Sequence, residues 1–149
     1  MTEPVDEFTQ LEWFQFVAPE TVEFQEGRTV MRLEPRRAHL NFNGTVSGPI
    51  VYALAEMAGG SALVATMVDQ IVNAYMVTES ARIEYLAPTR GTTFAIAEVP
   101  VDVVERIRSS LTQGVAIEAD VHVSVQNAGR EVARCDLRFA FRPRRRARR

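Results

Sequence analysis

Residues 44–67 read GTVSGPIVYALAEMAGGSALVATM, and Glu56 is the only charged side chain among them. A helix over Ile50–Val68 would be apolar on every face, and such a helix is buried on every side. Ser47 or Gly48 can cap its start, and Pro49 suits the first turn, where its missing N–H goes unneeded. In a chain of 149 residues, only a curved sheet can enclose it. Residues 49–68 approach the length of a membrane span. The central Glu56, the Gly59-Gly60-Ser61 step and the amphipathic strands on either side argue against that reading. A carboxylate in such surroundings is paired, neutralised or used.

The enclosing strands are legible. Val77, Glu79, Ala81, Ile83 and Tyr85 alternate with Thr78, Ser80, Arg82 and Glu84. Thr92–Val99 is a second strand. Val115–Val125 sets Ile117, Ala119, Val121 and Val123 against Glu118, Asp120, His122 and Ser124, a period of two with one wet face. Asn127-Ala128-Gly129 turns the chain, and Glu131–Phe141 returns with Ala133, Cys135, Leu137, Phe139 and Phe141 on one face. Upstream, Thr21–Leu33 is strand around a Glu26-Gly27 turn, and residues 35–46 are loop. Residues 4–17 space Val5, Phe8, Leu11 or Glu12, and Phe16 as a short amphipathic helix, ended by Ala18-Pro19. Residues 102–113 predict a surface helix with Gly114 as its C-cap. The fold class is therefore α+β, a curved antiparallel sheet wrapped around one long buried helix. A single domain covers residues 1–141, with residues 1–19 as helix and lead-in. Residues 142–149 form an Arg-rich disordered tail.

Charge narrows the function classes. The net charge is −2, with seven acids and one Arg in residues 1–30, and nine Arg and two acids in residues 130–149. Such a balance argues against a nucleic-acid binder. The tail, with six Arg in residues 141–149, could meet coenzyme phosphates, an acidic membrane or nucleic acid, but a solubilising extension is the simpler reading. The chain has no Lys at all, which points to GC-rich codons before chemistry. One Cys allows no intrachain disulfide, and MTEPVDEF lacks signal-peptide features. A cytoplasmic location without a membrane partner is expected. Two His and one Cys, far apart in sequence, argue against a metal site, and no Gly-x-Ser-x-Gly elbow occurs. Cys135 reads as a buried, inert thiol and His122 as solvated surface.

The stretch HLNFNGTVSGPIVYALAE, set in this architecture, resembles the hotdog-fold acyl-CoA thioesterases of the PaaI-like type. That family runs His-x-Asn-x-x-Gly-x-x-His-Gly-Gly, then seven mostly apolar or small residues and an acid. His39, Asn41, Gly44, Gly48 and Glu56 fall on the pattern. Ser47 stands in place of the family His, Pro49 in place of the second Gly, and Glu56 in place of the commoner Asp. VTESARIEYLAP, residues 77–88, resembles the family strand ending in Phe/Tyr-Leu-x-Pro. The resemblance covers roughly residues 20–142. The insert at 102–113 resembles a less characterised hotdog branch.

The resemblance implies hydrolysis of an acyl- or aryl-CoA thioester. Glu56 would be general base or nucleophile, its basicity sharpened by apolar surroundings. The Gly48 N–H would hold the oxyanion at a helix N-terminus. Asn41 and Thr78 would orient the water or the acid. Ser47 would stand near the thioester carbonyl, with a hydroxyl but no titratable group. His39, Tyr52, Met57 and Arg90 are candidate substrate-binding residues, with Arg90, Arg106 and Arg108 facing the coenzyme's phosphates. No cofactor is expected beyond coenzyme A as part of the substrate. The family builds each site across a homodimer, or a dimer of dimers, so Thr78 would serve the partner's Glu56. Each residue also has a plainer reading. Glu56 could be a structural acid at a dimer seam, and Gly48 could be needed only where the helix starts. Asn41 could be a turn residue, Thr78 a strand former, Ser47 a helix cap and His39 a structural hydrogen-bonder. A non-catalytic hotdog protein that binds an acyl ligand or a partner is the rival function.

Overall fold

The apolar run is the axis of the molecule. The computed structural model describes residues 8–144. In chain order its elements are α1 (Glu12–Val17), β1 (Glu20–Gln25), β2 (Arg28–Leu33), α2 (Gly48–Thr66), β3 (Ala74–Tyr85), β4 (Thr93–Glu98), α3 (Val101–Thr112), β5 (Ile117–Asn127) and β6 (Arg130–Pro143). The strands form one sheet in the order β1-β2-β4-β5-β6-β3, every pair antiparallel. The sheet curls around α2. Leu54, Ala58, Ala62 and Leu63 of α2 are fully buried, as are Leu33, Ala95, Val123, Cys135 and Phe141 on the inner sheet face.

The two faces of the sheet follow from alternation. Thr29, Met31 and Leu33 pair with Ala97, Ala95 and Thr93, and these face α2. The opposite face is charged. Register aligns Arg28, Glu98, His122, Asp136 and Arg82 in one row across five strands. Arg28 pairs with Glu98, and His122 Nδ1 lies 2.8 Å from Asp136 Oδ1. Opposite charges across strands favour this register. The β5–β6 turn places Ala128 and Gly129 at φ 51° and 76°, as a two-residue hairpin requires.

Several expected boundaries move. The helix expected over residues 4–17 is broken, because Leu11 is extended (φ −66°, ψ 131°) and α1 starts at Glu12; residues 4–7 lie outside the described residues. Phe8, Leu11, Trp13 and Phe16 stay exposed, and only Val17 of α1 is buried in the core. Residues 142–144, expected in the tail, are held at the end of the sheet. Arg142 and Pro143 pair with Tyr75 and Ala74 of β3, and the Arg144 Nε–H donates to the Ala74 carbonyl at 3.0 Å. Residues 145–149 lie outside the described residues. Arg108, a candidate for coenzyme phosphates, instead donates to the Thr66 carbonyl at 2.8 Å and pairs with Glu26. It caps the otherwise unpaired carbonyl end of α2.

Candidate functional site

The helix α2 is not sealed on every side. Tyr52, Glu56 and Gly60, spaced by four, and the adjoining Met57, Ser61 and Val64 are only half-buried. The sheet leaves a gap between its two edge strands, β1 and β3, and this stripe faces it. Glu56 and Thr78 open there on a cavity of about 700 Å³. Its other walls are mostly apolar, with Met57 and Val64 from α2, Met76 from β3, Phe24 from β1, and Trp13 and Phe14 from α1. The α1 aromatics that find no place in the core thus roof this cavity.

Glu56 has a hydrogen-bond donor in its own chain. The Thr78 hydroxyl donates to Glu56 Oε1 at 2.7 Å. Strict alternation along residues 77–85 would turn Thr78 to the same face as Ser80, Arg82 and Glu84. A bulge prevents this. Thr78 is opposite Phe139 and Ser80 opposite Arg138, so Glu79 is the extra residue. A bulge shifts the facing of every residue on one side of it. Met76 and Thr78 therefore face α2 before the bulge, and Ala81, Ile83 and Tyr85 after it. The expectation that Thr78 serves a second copy is corrected: it reaches the Glu56 of the same chain.

Tyr52 lies one turn before Glu56 on the same face. Burial, and then the negative charge of the nearby Glu56 carboxylate, push the phenol up to about 12. Tyr52, expected as an apolar wall, does not line the cavity. Met57 lines the cavity as expected. Cys135 is buried, and burial pushes its thiol up to about 11.

At the start of α2, Ser47 occupies the N-cap position, but its side chain makes no capping bond. Its carbonyl accepts from Ile50 and Val51 at 3.0 and 3.1 Å. Among the described residues, no acceptor meets the Gly48 N–H. Gly48 is pressed by a residue that sequence reasoning left without a role. The Tyr85 hydroxyl donates to the Gly48 carbonyl at 3.0 Å and lies 3.2 Å from where a Cβ on residue 48 would sit. A side chain there would crowd it. The sequence signals for Tyr85 were its place on the inward alternation with Ile83 and its match to the aromatic of the Phe/Tyr-Leu-x-Pro pattern.

Three expected site residues point elsewhere. Asn41 turns into its own loop: Oδ1 accepts from the Asn43 and Thr45 N–H groups at 3.0 and 3.2 Å, and Nδ2 donates to the Thr45 hydroxyl at 2.9 Å. This is the turn chemistry of Asn, not contact with Glu56. His39 is fully buried and away from the cavity. Its Nδ1 accepts from the Arg36 N–H at 3.1 Å, so the neutral ring carries its proton on Nε2, which donates to the Phe16 carbonyl at 2.7 Å. Both ring nitrogens are thus used to tie the end of α1 to the loop before α2. Arg90 is exposed on the outer side of that loop, its guanidinium 3.4 Å from the Gly44 carbonyl, and it does not line the cavity. Among the described residues, no three His, Cys, Asp or Glu side chains cluster as metal ligands would.

Solved structures share this architecture. A Pseudomonas aeruginosa protein, described as of unknown function and a probable thioesterase, aligns with TM-score 0.80 at 14% identity, over 91% of this chain and 89% of its own. A thioesterase family protein from Silicibacter pomeroyi aligns with TM-score 0.75 at 16% identity, over 94% and 96%. A mutant of the phenylacetic acid degradation protein PaaI from Thermus thermophilus aligns with TM-score 0.67 at 23% identity, over 87% and 97%. At these identities the likeness is one of fold, and the fold is the hotdog. No curated protein matches the chain. The model of a domain of unknown function, DUF4442, matches residues 9–140. With that match spanning nearly all the described residues, the chain belongs to the DUF4442 family and adopts the hotdog fold seen in proteins described as thioesterases.

Proposed function

We propose that the chain is an acyl-CoA thioesterase that works as a homodimer. One observation carries this reading: a half-buried carboxylate, held by the Thr78 hydroxyl at 2.7 Å, faces an apolar cavity. Glu56 takes a proton from water, and the water oxygen attacks the thioester carbonyl carbon. The carbonyl oxygen becomes an oxyanion beside the Gly48 N–H, at the positive end of α2. The C–S bond then breaks, and the proton leaves with the coenzyme A thiol. Direct attack by the Glu56 carboxylate is the alternative first step.

The spacing along α2 calls for a second copy. Gly48 and Glu56 are eight residues apart, about 12 Å along a helix at 1.5 Å per residue. One carbonyl group cannot be within about 3 Å of both groups on the same helix. Two copies related by a two-fold axis can set the Gly48 of one opposite the Glu56 of the other. The outer edge of β3 suits the seam. Among the described residues it pairs with β6 on one side only, and it exposes Tyr75, Val77 and Tyr85. A long free edge of this kind is a template for another strand.

The test is hydrolysis of a panel of acyl- and aryl-CoA esters by wild type and Glu56→Gln. General-base roles are typically worth about 10²–10⁴ in rate, so a loss below about tenfold would remove Glu56 from the chemistry. A rival reading, ligand binding without turnover, is favoured by the turning of Asn41 and His39 into their own loop. It predicts saturable binding of acyl-CoA with no thiol released by any ester of the panel.

A further inference from the structure

The proposed chemistry leaves the acyl group unspecified, and the cavity specifies it. Its wall on α2 runs from Ala53 and Glu56 through Met57, Gly60 and Ser61 to Val64. Val64 is eight residues beyond Glu56, about 12 Å along the helix axis. An extended hydrocarbon advances about 1.3 Å per carbon, as set by tetrahedral C–C bonds. The wall beyond Glu56 thus spans about nine or ten carbons, well past the reach of a single aromatic ring. Among the described residues, Glu56 is the only ionisable side chain of the lining. Met31, Met57 and Met76 line it together, and methionines adapt their shape to flexible apolar partners.

Two adjacent glycines show which position keeps the channel open. A Cβ on Gly59 would lie 2.7 Å from Leu137 Cδ1, so Gly59 is packed against the sheet. Among the described residues, a Cβ on Gly60 would meet nothing closer than 3.8 Å, where Met76 Cε and a Phe139 ring carbon lie. Gly60 lines the cavity one turn past Glu56, about 6 Å along the axis. A long side chain there would cut the channel after about four carbons.

We propose that the cavity beside Glu56 is a channel for a straight, medium-length acyl chain of about ten carbons, with Gly60 setting its usable depth and the α1 aromatics roofing it. This deepens the thioesterase reading and rests on it for the carbonyl's place, but not for the channel itself.

The experiment compares wild type with Gly60→Leu, using Gly60→Ala as a check that a side chain at this position is tolerated. Hydrolysis is followed over straight-chain acyl-CoAs from acetyl to palmitoyl, with phenylacetyl-CoA beside them. Binding of 1-butanol and 1-decanol, which need no turnover, is followed by calorimetry. In wild type, kcat/KM should climb with each methylene up to about decanoyl, by at most about fourfold per step, the worth of one fully buried methylene. Gly60→Leu should lower decanoyl-CoA hydrolysis and 1-decanol binding by at least about tenfold, the worth of two such methylenes, and leave butyryl-CoA within about twofold. A flat profile, a peak at phenylacetyl-CoA, or a Gly60→Leu loss equal at all lengths overturns the channel and leaves the hydrolase standing. Failure of both alcohols to bind also overturns it, as when a second copy fills the space. If no ester is hydrolysed yet 1-decanol binds and Gly60→Leu abolishes that binding, the channel stands and the hydrolase reading falls.

Discussion

Gly59 and Gly60 are neighbours on α2, yet alanine should act oppositely at the two positions. Replacing a helix-interior glycine by alanine stabilises by about 1 kcal/mol, because alanine has less backbone freedom to lose on folding. At Gly60 no described residue offsets that gain, since the nearest of their atoms to the new Cβ is 3.8 Å away. At Gly59 the new Cβ would lie 2.7 Å from Leu137 Cδ1, 3.4 Å from Val123 Cγ2 and 3.6 Å from Phe139 Cε2. Leu137 and Val123 are buried, so the leucine tip cannot swing into solvent. Overpacking a tight core costs about 1–3 kcal/mol, which leaves Gly59→Ala between neutral and about 2 kcal/mol destabilising. The two variants should therefore differ by about 1–3 kcal/mol. For a chain of this size, that is roughly 2–4 °C in Tm for each kcal/mol. Urea denaturation at one fixed protein concentration measures the difference, because self-association would make stability depend on concentration. If Gly59→Ala proves as stable as Gly60→Ala, the packing of α2 on β5 and β6 described above is wrong.

Two further perturbations address the carboxylate. Thr78→Val removes the 2.7 Å donor to Glu56. A hydrogen bond to a charged group is worth about 1.5–3 kcal/mol, so kcat of thioester hydrolysis should fall by about 10- to 100-fold while Thr78→Ser keeps most of it; equal losses in both variants would deny the hydroxyl its role. Tyr52 is raised in the folded state to about 12, so the folded protein holds that proton where the unfolded chain releases it. The sign follows directly: this contribution to stability is intact below about pH 10 and is lost as pH rises toward 12. Tyr52→Phe should flatten that alkaline decline and remove the last phenol to ionise in an absorbance titration of the native protein.

The regular elements were legible because their signals are local. The run after Ser47 had to be an enclosed helix, and α2 spans Gly48–Thr66. The alternation in β5 and β6 gave the correct inner face, with Val121, Val123, Cys135 and Leu137 all buried. The insert helix appeared at Val101–Thr112 with Gly114 beyond it at φ 68°. Less of the site could be read. Asn41 and His39 matched a motif, but a motif gives residue type and spacing, and both side chains are used within their own loop.

Composition and periodicity by themselves determined that one apolar helix would be wrapped by antiparallel strands, since hydrophobic burial depends on which side chains recur at 3.6 or at 2 residues. Tertiary structure alone decided which polar groups meet Glu56. One extra residue in β3 turns Thr78 inward, Tyr85 closes on Gly48 from 37 positions away in sequence, and the gap between β1 and β3 leaves one stripe of α2 uncovered. Such contacts join distant parts of the chain, so no local pattern encodes them. They follow from how the sheet closes.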